Sequence, residues 1–169
     1  MIENYKKLMF KKARQLKDPD NYDHGYQYAL FLLNLSMRTV GEVKEKMTNR
    51  GYNSKVINLV INNLLEEKFL DDSNYAEVFI NSMKNYKSWG KFMMKKKMYE
   101  KKLSKDLIEE KLEELVTEKD EKEIAKRFLL RLFPDLNKIK ELEYEEKQKV
   151  MRKLMSRGFG FEVVSKIVK

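Results

Sequence analysis

The chain has 169 residues, 42% hydrophobic and 37% charged, and 36 Lys+Arg against 27 Asp+Glu leave a formal net charge of +9. Nine Phe, nine Tyr and ten Met supply the bulk for a core, which argues against wholesale disorder. The lack of Cys excludes disulfides, thiolate nucleophiles and Cys-ligated zinc; a single histidine, His24, excludes multi-His metal sites and weakens any His-dependent nucleophilic catalysis. No run approaches the roughly 18 apolar residues that span a bilayer, and the opening MIENYKKLMFKKARQ lacks the uninterrupted apolar stretch of a signal peptide. These features set the expectation of a soluble, cytoplasmic protein without a membrane span, and they start any enzymatic or metal-site reading from a low prior.

Six Gly and two Pro punctuate the chain, and the apolar residues recur at helical rather than alternating spacing, which predicts an all-α fold. In chain order, Ile2, Tyr5, Met9, Ala13 and Leu16 follow steps of three and four and predict a basic N-terminal helix. It should end near Asp18-Pro19, because proline disfavours helical geometry in the residue before it. Asp18 to Gly25 then reads as a linker that includes His24, for which the sequence shows no partner and suggests no role.

Three blocks downstream resemble one another. Ala29–Met37, Ala76–Lys84 and Ala125–Phe133 each begin with Ala and continue on a helical apolar stripe. A second helix follows each, ending in Met47-Thr48-Asn49-Arg50-Gly51-Tyr52, Met98-Tyr99-Glu100-Lys101-Lys102-Leu103 and Leu154-Met155-Ser156-Arg157-Gly158-Phe159: apolar, two residues, base, turn, apolar. Third helices should start at Ser54, Ser104 and Phe161, with Val56/Ile57, Leu107/Ile108 and Val163/Val164 in corresponding places. Ser54 and Ser104 are candidate N-caps, and Gly51 and Gly158 suit left-handed C-caps. Asp72 is a candidate N-cap for a helix over 74–86. The predicted organisation is an N-terminal helix and linker over 1–25 and tandem three-helix repeats over 26–70, 71–117 and 118–169 in an elongated array, the third carrying an insertion over 134–143.

Ala29 to Arg38, then Glu42 to Met47 and Arg50-Gly51-Tyr52, resemble the opening repeat of the RecX proteins, regulators of the RecA recombinase. Phe69-Leu70-Asp71-Asp72-Ser73-Asn74-Tyr75-Ala76 is similar to the start of that family's second repeat. Gly90-Lys91 with Met94 and Met98 resembles its Gly-led basic helix, and Leu154 with Arg157-Gly158-Phe159 its closing motif. The resemblance runs over residues 26 to 169; Lys102 departs from it where the turn glycine is usual, as do Phe92 and Met93 where basic or polar residues are common. It implies a modular protein that is not an enzyme, uses no cofactor, metal, membrane or small-molecule substrate, binds RecA filaments and restrains recombination and strand exchange.

The residues alone point to an anionic partner. Lys84 to Lys105 contains nine lysines and one acid, Glu100, so the local excess nearly equals that of the whole chain. On one continuous helix Lys84, Lys87, Lys91, Lys95 and Lys102 would form a single stripe, with Met94 and Met98 on the buried side. Lys96 and Lys101 add to the positive potential. Such a stripe repels itself unless something anionic is near, and DNA phosphate is the candidate; a merely solvated lysine face is the alternative. Trp89, Phe92 and Tyr99 among the lysines offer faces for stacking, or else cover for the next repeat. Arg38, Arg50, Arg152 and Arg157, four of only seven arginines, stand near repeat positions and suggest partner contact or capping. Glu109-Glu110, Glu113-Glu114, Glu118 to Glu123 and Glu141 to Glu146 form an acidic rim, in which paired carboxylates with opposite charges among them favour solvation over a metal or acid-base site.

Three functional readings follow. The first is a RecX-like regulator of the RecA filament that also touches the DNA backbone. The second is an independent DNA-binding protein of helix-turn-helix type, whose lysine-rich helices would suit phosphates and read little sequence. The third is a helical adaptor that binds protein alone.

Overall fold

The computed structural model describes Leu16 and residues 18–168. The expected N-terminal basic helix therefore lies, apart from Leu16, outside the described residues. The chain divides into two compact units, Met1–Asp71 and Asp72–Lys169. Every regular element among the described residues is a helix.

The first unit contains α1 (Tyr22–Leu35), α2 (Val40–Arg50) and α3 (Ser54–Glu66). Asn21, not a residue beyond Gly25, starts α1: its side chain accepts a hydrogen bond from the His24 N–H at 2.8 Å. The stretch expected as linker is thus half helix, and Gly25 is buried where a Cβ would stand 3.0 Å from Val56 Cγ1. The remainder is stapled down, since the Asn53 N–H donates to the Pro19 carbonyl at 3.1 Å. Thr39 opens α2 in a capping box with Glu42. Asn53, rather than Ser54, caps α3, its side chain accepting from the Lys55 N–H at 2.7 Å. Ala29, Val43, Met47, Val60 and Leu64 form the centre of this unit's core.

The second unit holds two triplets. One is α4 (Asp72–Ser82), which runs on into a single π-helical turn over Met83–Lys87, then α5 (Lys91–Glu100) and α6 (Lys105–Leu115). The other is α7 (Glu118–Leu130), the short α8 (Asn137–Glu141), α9 (Tyr144–Ser156) and α10 (Phe161–Val168). Asp72 is already helical, so it places its charge in the first turn of α4 rather than at the preceding cap position. Ser104 caps α6 as expected, accepting from the Leu107 N–H at 3.3 Å. The insertion of the third repeat becomes α8, and it is anchored by Ile139, which is 1% exposed in the common core.

The repeat pattern survives in three dimensions. Ala29, Ala76 and Ala125 are all 0% exposed, as are Met47, Met98 and Leu154 at the ends of the second helices. Each such helix closes identically. The N–H of Gly51, Lys102 and Gly158 bonds the carbonyl three residues back at 2.9 Å, and the N–H of Tyr52, Leu103 and Phe159 reaches five residues back at 3.2–3.3 Å. This is the Schellman closure, which needs a left-handed residue. Gly51 (φ 99°) and Gly158 (φ 86°) supply it, and Lys102 adopts it too at φ 63°.

The triplets of the second unit share one continuous core, in which Met94, Met98 and Ile108 join Ile124, Leu129 and Leu154. Burying Met94 and Met98 fully contributes on the order of 1.5–3 kcal/mol each. The two triplets also meet backbone to backbone. The Gly90 N–H donates to the Arg157 carbonyl at 2.9 Å and the Phe92 N–H to the Gly158 carbonyl at 3.0 Å. A Cβ on Gly90 would lie 2.3 Å from the Gly158 oxygen, and one on Gly158 would lie 2.2 Å from the Met93 nitrogen. Both glycines are therefore required for this approach.

Candidate partner interface

The lysine-rich segment does not form one helix. Ser88 turns left-handed (φ 51°) after the π-helical turn, and Gly90 starts α5 in extended geometry. Lys84 and Lys87 thus belong to the π-helical turn that follows α4, Lys91, Lys95 and Lys96 to α5, Lys101 to its C-cap and Lys102 to the following turn. The physical reason for the break is the glycine joint. The start of α5 has to meet the α9–α10 turn, which a continuous helix through residues 88–90 would not permit.

Several of these lysines have partners within the protein. Lys84 Nζ donates to the Leu115 carbonyl at 2.7 Å and stands 3.1 Å from Asp120 Oδ1. Lys91 Nζ approaches the Val116 carbonyl at 3.5 Å, and its backbone N–H donates to Glu121 Oε1 at 3.0 Å. Two cations consequently gather at the C-terminus of α6, where the helix dipole favours positive charge. Lys95 pairs with Glu109 at 2.9 Å, and that hydrogen bond holds the ammonium above, and the carboxyl below, its ordinary pKa. Lys97 pairs likewise with Glu100 at 2.6 Å. The anions that relieve the lysines' repulsion are in good part the protein's own. Lys87, Lys96 and Lys102 are exposed, and Lys101 is half-buried.

The arginines divide in a similar way. Arg38 Nε donates to the Leu32 carbonyl at 3.1 Å, closing the end of α1. Arg50, in the last turn of α2, lies with its guanidinium carbon 5.9 Å from the Tyr28 ring centroid, and its Nε is buried with no hydrogen-bond partner among the described residues. Arg157 sits 4.6 Å over the Phe128 ring and donates to the Lys87 carbonyl at 3.2 Å. Arg152 projects from α9 and is exposed. Arg127, which the sequence did not single out, donates to the Lys84 carbonyl at 2.9 Å. Arg127 and Arg157 together satisfy carbonyls of the widened π-helical turn, whose i→i+5 pattern leaves its end open to such donors.

Of the aromatics, Trp89 is half-buried against the common core, whereas Phe92 is 66% and Tyr99 41% exposed. His24 has a partner after all: its Nδ1 lies 2.9 Å from the Tyr52 hydroxyl. Burial pushes the Tyr52 phenol up to about 12, against the opposing field of Arg50. A second residue missed from sequence is Lys111, 8% exposed, which binds Glu77 at 2.7 Å and Glu114 at 3.0 Å. Those two bonds raise its pKa well above the usual lysine value. A signal existed: Lys111 lies three residues from Ile108 and four from Leu115, on the apolar stripe itself.

At the start of α7, Thr117 and Asp120 form a capping box. Hydrogen bonds from Thr117 and then from Lys84 hold Asp120 down at about 2. Glu118, held by Lys122 and Lys166, is also lowered to about 2. The acidic rim is thus partly consumed in intramolecular pairs. Among the described residues no group of three or more His, Cys, Asp or Glu is arranged to hold a metal ion, and no helix is long and apolar enough to cross a membrane.

Three family models match the chain in order: "RecX, first three-helix domain" over residues 26–64, the second over 71–112 and the third over 119–168. The "Regulatory protein RecX" of Clostridium botulinum (strain Eklund 17B / Type B) is 29% identical over 158 residues, covering 94% of this chain and 73% of its own length. That of Streptococcus sanguinis is 26% identical, covering 95% of this chain and 60% of its own. The crystal structure of RecX from Lactobacillus salivarius superposes with a TM-score of 0.78 at 26% identity, covering 90% of this chain and 96% of that one.

Proposed function

This chain belongs to the RecX family, and on that premise we propose that it regulates the RecA recombinase by binding its filament on DNA and restraining ATP turnover and strand exchange, with no catalysis of its own. The observation that carries this reading is the ordered match of all three domains, over residues that fold into three helical triplets with equivalent buried positions. Repetition suits a periodic target. Linked modules that each hold a filament weakly gain affinity from effective concentration.

We propose that the cations meeting DNA phosphate are those the fold leaves exposed. Lys87, Lys96 and Arg152 are exposed, and they form the proposed phosphate-facing set. Lys84, Lys91, Lys95, Arg38 and Arg157 hold the fold first, through the bonds described above, and Arg50 stacks on Tyr28. Partner contact by any of these would compete with those bonds. The protein is proposed to act in the cytoplasm, where RecA filaments form.

The test is the DNA-dependent ATPase of RecA and its strand exchange, measured with this protein beside its binding to bare DNA across a salt series. Inhibition at concentrations well below those that coat bare DNA is expected. Tight, sequence-selective binding to duplex with no effect on RecA would replace this reading with an independent helix-turn-helix protein, and salt-independent protein binding without DNA affinity would replace it with an adaptor.

A further inference from the structure

Within the second unit, a cleft of about 740 Å³ opens between α5, the end of α6, the start of α7 and the start of α10. Its floor is apolar: Leu112 and Val116 are each 2% exposed and Val163 5%. Phe92 and Phe161 belong to its lining yet are 66% and 63% exposed, an unfavourable placement for two rings of that size unless something covers them. The ring of Phe92 lies over Gly160, with Cε2 3.4 Å from where a Cβ would stand, so it borders the start of α10.

The charge of this cleft is opposite to that of the chain. Five glutamates line it, Glu109, Glu113, Glu118, Glu121 and Glu162, against Lys91 and Lys95. Lys95 is paired with Glu109, and Lys91 points its ammonium at the Val116 carbonyl. Glu118 is paired with Lys122 and Lys166, which leaves Glu113, Glu121 and Glu162 without an ion pair among the described residues. An apolar floor, exposed aromatic walls and a surplus of carboxylate describe a site for a chain that is itself apolar on one face and cationic on the other. The same carboxylates would repel nucleic acid.

We propose that this cleft is a docking site for a cationic amphipathic segment of a partner protein, whose apolar side chains cover Phe92 and Phe161 while its Lys or Arg side chains meet Glu113 and Glu162. The site is separate from the phosphate-facing cations and does not depend on the identity of the filament. It gives a mainly basic protein a second surface of the opposite preference, so that nucleic acid and protein would not compete for one patch.

The probe is a fluorescein-labelled synthetic 15-residue helix of Lys, Leu and Phe, titrated with the full chain at moderate salt and followed by anisotropy, with a 15-nucleotide oligothymidine in parallel. Glu113→Gln with Glu162→Gln is expected to weaken peptide binding at least tenfold, and Phe92→Ala with Phe161→Ala to do so as well. Glu141→Gln with Glu145→Gln, acids outside the cleft, should leave it within twofold. If the phenylalanine variant fails to fold by circular dichroism, the exposed glutamate pair still decides the matter. Equal weakening by the cleft and control variants, or no binding below millimolar peptide, would overturn the proposal. So would oligothymidine binding that is lost on the phenylalanine substitutions, since the cleft would then be taking nucleic acid.

Discussion

Arg50-Gly51-Tyr52 in the first unit and Arg157-Gly158-Phe159 in the second make the same helix closure, yet their surroundings differ. Among the described residues a Cβ on Gly51 would find only Leu16 Cδ1 at 4.0 Å, whereas one on Gly158 would enter the backbone of Met93. The first glycine answers to its dihedral angle alone, the second to a dihedral and a neighbour. Lys102, at the corresponding place of the middle repeat, shows that the dihedral by itself can be carried by a residue with a side chain. A shared motif thus fixes the local turn, while the contact across it decides how far the residue can change.

The largest effect should come from Gly158→Ala. Left-handed strain and displacement of the Met93 backbone together should cost about 3 kcal/mol or more, read as a lower urea midpoint in the fluorescence of Trp89, the chain's one tryptophan. Gly51→Ala should cost only about 1 kcal/mol, the strain of the left-handed region, seen by circular dichroism. Equal costs would dissolve the distinction between the two turns. Lys102→Gly should act in the opposite direction, stabilising by roughly 0.5–1 kcal/mol as the strain is relieved. A destabilised glycine variant would mean that the lysine side chain matters more there than the backbone angle.

Acid should reveal a further property of the second unit. Asp120 and Glu118 are both held at about 2, below their ordinary values, so each favours the folded state above its unfolded pKa. That contribution is present at neutral pH and disappears as pH falls from about 4.5 to about 2. Replacing Asp120 with Asn should flatten the fall of the Trp89 urea midpoint over that range; an unchanged slope would remove Asp120 from the account of acid sensitivity.

Much of the fold was legible in the sequence because its determinants are local. Helical spacing placed Ala29, Ala76, Ala125, Met94 and Met98 on buried faces, and the base-turn-apolar ends marked the closures. The caps were legible unevenly: Asn53 displaced Ser54 by one residue, whereas the entry to α1 moved well into the supposed linker, to Asn21. The lysine stripe misled for a different reason. Periodicity assumes one uninterrupted helix, and the break at 88–90 follows from a contact with Gly158, far away in sequence. The partners of Lys84 and Lys91 are carbonyls at the end of α6, which no charge count reveals. Arg127 and Arg157 close a π-helical turn whose existence has no sequence mark, and the tyrosine partner of His24 is 28 residues distant.

The division of the basic segment into cations that hold the fold and cations open to a partner is tested most directly by comparing two triple variants for inhibition of the RecA ATPase, with a thermal melt of each. Lys87→Ala, Lys96→Ala and Arg152→Ala together should melt like the parent, inhibit less, and reduce the salt slope of DNA binding by up to about 0.9 for each duplex phosphate no longer neutralised. Lys84→Ala, Lys91→Ala and Lys95→Ala should instead lower the melting temperature. Full inhibition and an unchanged slope in the first variant, with abolished inhibition and a parental melt in the second, would contradict that division.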